Sequence, residues 1–222
     1  IEGNPKSAAF RSFDCSPGGP FADYLDANGN IGKDDREIYV SFLWKSDMPD
    51  DQLYSFQLQK DVDLEFTFPS TTGAFNLIRY NNPNIKIMAY RDNDDSYGGY
   101  RTVTTPDGDI HFVVVRIVFG ENDNGDMVEV YWDPDPTQDR PARTAFLRSH
   151  ANAQFDISFD RLDFHEEWGH RGLHFDEIRV GETWDDVTPG SSDVDPGDTI
   201  YVDAGNATPA YPYTNWMTAA TS

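Results

Sequence analysis

The carboxylates between residues 61 and 65 have the spacing that one class of hydrolytic chemistry requires. Within the stretch KDVDLEF, Asp61, Asp63 and Glu65 alternate with apolar residues, so on a β-strand they project from one face. Retaining glycosidases use two carboxyl groups about 5 to 5.5 Å apart, one as nucleophile and one as acid. The pattern therefore makes Asp61 and Glu65 candidates for a catalytic pair. The alternative is a water-facing strand in an acidic chain, and composition favours that alternative.

A second group of oxygen-bearing side chains lies in RDNDDSYGGYR, residues 91 to 101. Carboxylates are the ligands that calcium prefers, and the candidates here are Asp92, Asp94 and Asp95. Two tyrosines of the same stretch, Tyr97 and Tyr100, are candidates for stacking on a sugar ring. Because Asp, Asn and Gly are also ordinary turn residues, the pattern favours a solvated hairpin loop.

Asp176 stands where the strand FDEIRVG should be apolar. Ile178 and Val180 set a period of two, which places Asp176 on the same, buried face. A buried carboxylate must be ion-paired, hydrogen-bonded or bound to a metal. The candidate partners are Arg179, Arg161, backbone N–H groups and a calcium ion.

The stretch HEEWGHRGLHFD, residues 165 to 176, offers aromatic and imidazole groups. Trp168, next to a glycine and two glutamates, is the tryptophan best suited to stack on a sugar. A hairpin would bring His165 and His174 together as zinc ligands, but the spacing misses the helical zinc motif. Polar loop histidines are the interpretation that the spacing favours.

Overall charge excludes two classes of partner. The chain of 222 residues carries 17 Lys and Arg against 39 Asp and Glu, a formal net charge of −22. Such a chain repels nucleic acid and anionic lipid surfaces, so we expect neither nucleic-acid binding nor membrane insertion. The single cysteine, Cys15, cannot form an internal disulfide, so the fold must depend on its core.

Short alternating segments bounded by Gly, Pro, Asn and Asp predict an all-β fold, an antiparallel β-sandwich. The predicted strands cover residues 37–45, 53–59, 64–69, 75–80, 85–90, 111–120, 127–134, 155–165 and 175–181. Residues 113 to 115 are apolar on both faces, which predicts a central strand covered on two sides. Polar residues at alternate positions of FQLQ and EVYW predict strands with one face open to water, where a jelly roll usually binds its ligand.

Composition divides the chain into three segments. Residues 1–187 form the predicted sandwich, and residues 188–198, rich in Gly, Pro, Ser and Asp, are a predicted linker. Residues 199–222 begin a new strand and are too few for a domain. The chain starts at Ile1 without Met, which favours a mature or excised piece.

Two stretches resemble known families. HFVVVRIVFGENDNGDMVEVYWDP, FDRLDF and FDEIRVGETWDDVTP resemble the concanavalin A-like, laminin-G-like jelly-roll domains of large secreted bacterial proteins. IYVDAGNATPAYPYTNWMTAATS, residues 200–222, is similar to the truncated start of a pectate-lyase-like parallel β-helix. In many such jelly rolls the corresponding Asp helps to bind a structural calcium, a role that the resemblance assigns to Asp176.

The resemblance implies a secreted, non-catalytic carbohydrate-binding or adhesive module of a multidomain protein, stabilised by calcium and binding a polysaccharide or other glycan. One alternative is a laminarinase-like glycoside hydrolase or lyase; here Asp61 stands where that family's Glu-x-Asp-x-Glu signature has its first Glu, one methylene shorter. The other alternative is a subunit of an extracellular filament or surface layer that self-assembles through strand exchange of its C-terminal tail.

Overall fold

A computed structural model describes residues 7–46, 54–60, 73–79, 84–91, 94–104, 108–120, 125–149, 155–166, 173–188 and 200–201. The strands are β1 (Ser7–Ser12), β2 (Arg36–Ser46), β3 (Tyr54–Gln59), β4 (Gly73–Arg79), β5 (Ile85–Arg91), β6 (Asp94–Thr104), β7 (Ile110–Phe119), β8 (Met127–Trp132), β9 (Ala145–Arg148), β10 (Arg161–Glu166), β11 (Leu173–Gly181) and β12 (Ile200–Tyr201). A 3₁₀ turn covers Ala22–Tyr24, and a short helix, α1, covers Trp184–Val187.

The strands form two six-stranded sheets. The first sheet has the order β1-β10-β3-β4-β5-β6 and the second sheet has the order β12-β11-β2-β7-β8-β9. All neighbouring strands are antiparallel. The two sheets pack face to face, which confirms the predicted antiparallel β-sandwich.

Aromatic side chains dominate the core between the two sheets. Phe42 of β2 and Phe56 of β3 have ring centroids 4.6 Å apart, and Phe164 of β10 and Phe175 of β11 have centroids 4.2 Å apart. Both pairs join one sheet to the other. Burying such large apolar side chains is the main favourable term in folding. These contacts therefore determine which faces of the two sheets pack together.

The outer face of the second sheet is also covered. Val113 and Val115 lie in the core between the sheets, whereas Val114 packs with Trp184 and Val187 of α1. A capping box holds the start of α1: the Thr183 hydroxyl accepts from the Asp186 N–H, and the Asp186 carboxylate accepts from the Thr183 N–H. The prediction that β7 is covered on both sides is confirmed.

Two predictions about strands are wrong. Residues 94 to 104 form β6, not a loop; β6 lies at the end of its sheet and has three register shifts against β5, and such an edge tolerates Gly98 and Gly99. The strand predicted at 155–165 begins only at Arg161. Residues 64–69 lie outside the described ranges.

The C-terminal strand β12 lies at the edge of the second sheet. Ile200 and Tyr201 pair with Val180 and Arg179 of β11 within the same chain. Residues 189–199 and 202–222 are not described, so the predicted linker, β-helix start and strand exchange stay predictions. Among the described residues, no helix is long and apolar enough to cross a membrane.

Candidate functional site

Polar side chains form a row across three neighbouring strands of the first sheet. Asp163 of β10 pairs in register with Gln57 of β3, and Gln57 pairs with Asn76 of β4. Their strand neighbours Leu162, Phe56 and Phe75 belong to the core, so by strand alternation the three polar side chains lie on the outer face. We call Asp163, Gln57 and Asn76 the polar row. It spans two strand spacings, about 9.5 Å.

Carboxamide hydrogen bonds hold Gln57 in the middle of this row. The Gln57 Nε2 donates to the Ser55 Oγ at 2.5 Å, and the Gln59 Nε2 donates to the Gln57 Oε1. The same Gln59 nitrogen donates to the Asp163 Oδ2 at 3.2 Å. Gln59 therefore ties β3 to β10, and both of its amide protons are in use.

Asn76 and Asp163 carry polar atoms without a partner. Asn76 is 0% exposed, and neither its Nδ2 nor its Oδ1 has a hydrogen-bond partner among the described residues. The Asp163 Oδ1 is equally without one in the described ranges, and Asp163 is 3% exposed. Leaving a buried polar group unpaired costs about 1–3 kcal/mol. Asn76 therefore has both a donor and an acceptor available, and Asp163 has one oxygen available.

Burial changes the acidity of Asp163. Loss of solvation raises the pKa of this carboxyl from 3.8 to about 7, although the Phe164 N–H and the Arg161 charge act in the opposite direction. Arg161 itself donates to Asp160 at 2.7 Å. Near neutral pH, Asp163 therefore exchanges between an ionised acceptor and a protonated donor.

The prediction that FQLQ and EVYW offer a face to water is wrong. Gln57 and Gln59 are buried, and Gln59 donates to both Gln57 and Asp163. Glu129 of β8 is 4% exposed and lies between the guanidinium groups of Arg116 and Arg143. Although burial raises the pKa of Glu129, bonds from Arg143, Arg116 and Tyr131 hold it below its ordinary value. That second network is a satisfied ion-pair cluster, so it offers no open site.

Asp176 does not face the core as predicted. Three steps along β11, from Asp176 to Arg179, oppose two steps along β2, from Leu43 to Ser41. This bulge resets the alternation, so Phe175, Ile178 and Val180 all reach the core while Asp176 is only partly buried. Glu177 takes the left-handed conformation, φ 48°, and its N–H donates to the Asp176 Oδ1 at 2.5 Å.

The bulge answers why an Asp stands in this strand. Arg161 and Arg179, the two predicted ion-pair partners, bond to Asp160 and Glu177 respectively. Asp176 instead accepts a backbone N–H, one of the alternatives that the sequence leaves open. Its short polar side chain suits a bulge, because it bonds locally to the main chain.

The other predicted site residues are only partly placed. Tyr100 pairs in register with Met88, which pairs with Asn76, so the backbone of Tyr100 extends the polar row by two strands. Tyr97 pairs with Tyr90 and Asp94 with Arg91, and Asp95 follows on β6; the side chains of β6 before residue 101 are not described. The remaining predicted residues lie outside the described ranges: Asp61, Glu65, Asp92 and Trp168.

The metal predictions are not supported by a ligand set in the described residues. Within those ranges, no group of three or more His, Cys, Asp or Glu side chains could hold a metal ion. The hairpin that would join His165 to His174 is wrong, because β10 and β11 belong to different sheets. Asp176 thus contributes one carboxylate, and calcium there stays a prediction.

The sequence analysis missed Asn76 and Asp163. The signal is present in FNL and RLDF, where a polar residue stands between two apolar residues that face the core. From the sequence alone, such a residue is predicted to face solvent, and only the strand order shows otherwise. Only the pairing of β10, β3 and β4 brings the three side chains into one row.

Comparison with known proteins shows the fold and leaves the family open. No family model matches the chain, and no curated protein matches it. The globular domain of T. cruzi calreticulin is similar in structure, with a TM-score of 0.50, 13% identity, and coverage of 82% of this chain and 72% of that chain.

Two further solved structures have lower scores. A legume lectin-like domain from Entamoeba histolytica has a TM-score of 0.44 and 10% identity, covering 69% of this chain and 75% of its own. The Caenorhabditis elegans galectin LEC-6 has a TM-score of 0.38 and 11% identity, covering 67% and 88%. With its two antiparallel sheets and its likeness to the calreticulin domain, the chain has an all-β jelly-roll sandwich fold of the concanavalin A-like type.

Proposed function

We propose that this chain is a non-catalytic carbohydrate-binding module and that a glycan binds at the polar row of the first sheet. The observation that carries the proposal is Asn76, fully buried with both amide atoms unpaired among the described residues. Sugar hydroxyl groups donate and accept hydrogen bonds, which is what a carboxamide needs on its two sides.

The geometry favours an extended, neutral glycan. The row runs across three strands over about 9.5 Å, and its free atoms lie at both ends, on Asp163 and Asn76. An anionic sugar would meet the Asp163 carboxyl and a chain of net charge −22. Like charges at close range are unfavourable, so an uncharged oligosaccharide is the better match.

Binding must also offset the burial of the row. The exposed fractions of Asp163, Gln57 and Asn76 are 0 to 3%, so a glycan reaches them only by displacing whatever lies over that face. Pairing the orphaned atoms recovers about 1–3 kcal/mol for each polar group. Aromatic stacking by Tyr97, Tyr100 and Trp168 stays part of the proposal and would add apolar contact.

A glycan array tests the proposal. Wild-type protein is applied to neutral and acidic glycans, beside Asn76→Leu and the control Asn28→Leu, which alters an exposed loop Asn. We expect binding to neutral glycans, lost by about ten- to a hundredfold in Asn76→Leu because one buried hydrogen-bonding group is removed. Equal binding by wild type and Asn76→Leu would contradict the site.

The same glycans separate binding from turnover. Glycans that bind are incubated with wild type and with Glu65→Gln, and the products are measured by chromatography. We expect intact glycan in both cases. Product that disappears with Glu65→Gln would establish the hydrolase alternative with Asp61 and Glu65.

Secretion, a multidomain parent and structural calcium complete the proposal, on the strength of the family resemblance alone. If calcium binds at Asp176, or at Asp92, Asp94 and Asp95, chelator should lower the melting temperature, since a ligand that binds only the folded state stabilises it. Asp176→Ala should abolish the difference if Asp176 is a ligand. An unchanged wild-type melting temperature in chelator would exclude a stabilising ion.

A further inference from the structure

We infer that glycan binding at the polar row is coupled to the ionisation of Asp163, so that a neutral glycan is held more tightly once this carboxyl has lost its proton. The inference rests on the proposed function. It assigns a regulatory role to a side chain that the sequence analysis did not single out.

The first support is the unequal use of the two Asp163 oxygens. The Oδ2 accepts from the Gln59 Nε2 at 3.2 Å, whereas the Oδ1 has no partner in the described ranges. Gln59 cannot serve the second oxygen, because its other amide proton is donated to Gln57. A ligand that enters the row therefore meets the Oδ1, the atom that carries the proton in the acid form or half the negative charge in the ionised form.

The second support is that neither in-register neighbour of Asp163 carries a charge. These neighbours are Phe10 on β1 and Gln57 on β3. On β10 itself the titratable or charged groups are Arg161, which donates to Asp160, His165, two residues beyond Asp163, and Glu166 at the end of the strand. Burial in this setting raises the pKa of Asp163 to about 7, within the range where binding is easily measured.

The direction of the effect follows from the hydrogen bonds. Bonds from hydroxyl groups to an ionised carboxylate are stronger than bonds to a neutral acid, so a sugar hydroxyl that donates to the Oδ1 favours the ionised form. Binding then lowers the pKa of Asp163 and releases a proton. Linkage requires that affinity falls as pH drops below about 7, by at most tenfold for each pH unit, and is level above it.

Glycan arrays at pH 8 and pH 6 test the inference on the neutral glycans. Wild type is compared with Asp163→Asn, with the exposed-loop control Asp135→Asn, and with His165→Gln, at a temperature well below unfolding. We expect wild type, Asp135→Asn and His165→Gln to bind about tenfold more weakly at pH 6 than at pH 8, and Asp163→Asn to bind equally at both.

The outcomes separate the inference from the proposed function. If wild type binds neutral glycans equally at both pH values, or if Asp163→Asn keeps the pH dependence, the coupling is wrong and the glycan site stands. Loss of the pH dependence in His165→Gln alone would also overturn the role of Asp163. If wild type binds no glycan at either pH, the proposed function fails and the coupling fails with it.

Discussion

At the scale of single residues, Asn76 combines a structural cost with the binding role that we propose for it. We expect Asn76→Leu to raise the free energy of unfolding by about 1–3 kcal/mol, since it removes unpaired buried polar atoms. Gln57→Leu is the matched control on the neighbouring strand; Gln57 is bonded to Ser55 and Gln59, so its loss should destabilise. Urea unfolding measures both. Destabilisation by Asn76→Leu would mean that the amide is already satisfied in the free protein.

Asp163 makes stability depend on pH with a definite sign. Its folded-state pKa is raised from 3.8 to about 7, so between about pH 4 and 7 the folded protein holds a proton that the unfolded chain has released. The contribution of Asp163 to the free energy of unfolding is therefore largest at acid pH. It declines as the pH rises from about 4 to 7, and it is constant above pH 7.

The variant Asp163→Asn should lack this decline. We expect its stability relative to wild type to increase from pH 4 to pH 8, by at most about 4 kcal/mol, since one pKa unit corresponds to about 1.4 kcal/mol. Asp126, whose pKa burial likewise raises to about 7, is present in both proteins and cancels. The measurement is chemical unfolding at several pH values. A constant difference across the range would show that Asp163 titrates at its ordinary pKa.

At the scale of elements, the bulge in β11 decides which side chains reach the core. Glu177 occupies the left-handed region at φ 48°, where a non-glycine residue costs about 1–2 kcal/mol. Glu177→Gly should stabilise the protein by about 0.5–1 kcal/mol after the entropic cost of glycine is subtracted. Glu177→Ala, which removes the side chain but keeps the strain, should not. Thermal unfolding compares the variants, and equal effects would refute the strain.

Alternation in the sequence predicts most strands and their buried faces. It correctly predicts β2, β3, β5, β7 and β8 to within a few residues. It fails for Asp176, because one extra residue at Glu177 shifts the alternation and nothing local distinguishes Asp176 from an inward position. It also fails for β6, where Gly98 and Gly99 read as a turn although the neighbouring strand supplies the pairing.

At the scale of the whole molecule, the sandwich is predictable and the site is not. The covered faces of β7 follow from a local pattern, the apolar run at residues 113 to 115, and they are confirmed. The polar row depends on pairing between distant segments: Gln59 and Asp163, which bond across β3 and β10, are 104 residues apart. The complete fold sets the register between strands that are so far apart in sequence. Local sequence patterns therefore do not predict that these side chains form a row.

The most direct measurement of the central claim is nuclear magnetic resonance of the side-chain amide groups during titration with a neutral oligosaccharide that binds on the array. The account predicts that the Nδ2–H₂ signals of Asn76 shift with the same midpoint as binding, together with the Nε2–H₂ signals of Gln57, while those of the loop residue Asn28 stay fixed. Signals of Asn76 and Gln57 that remain unmoved at saturation, with shifts confined to other parts of the chain, would contradict it.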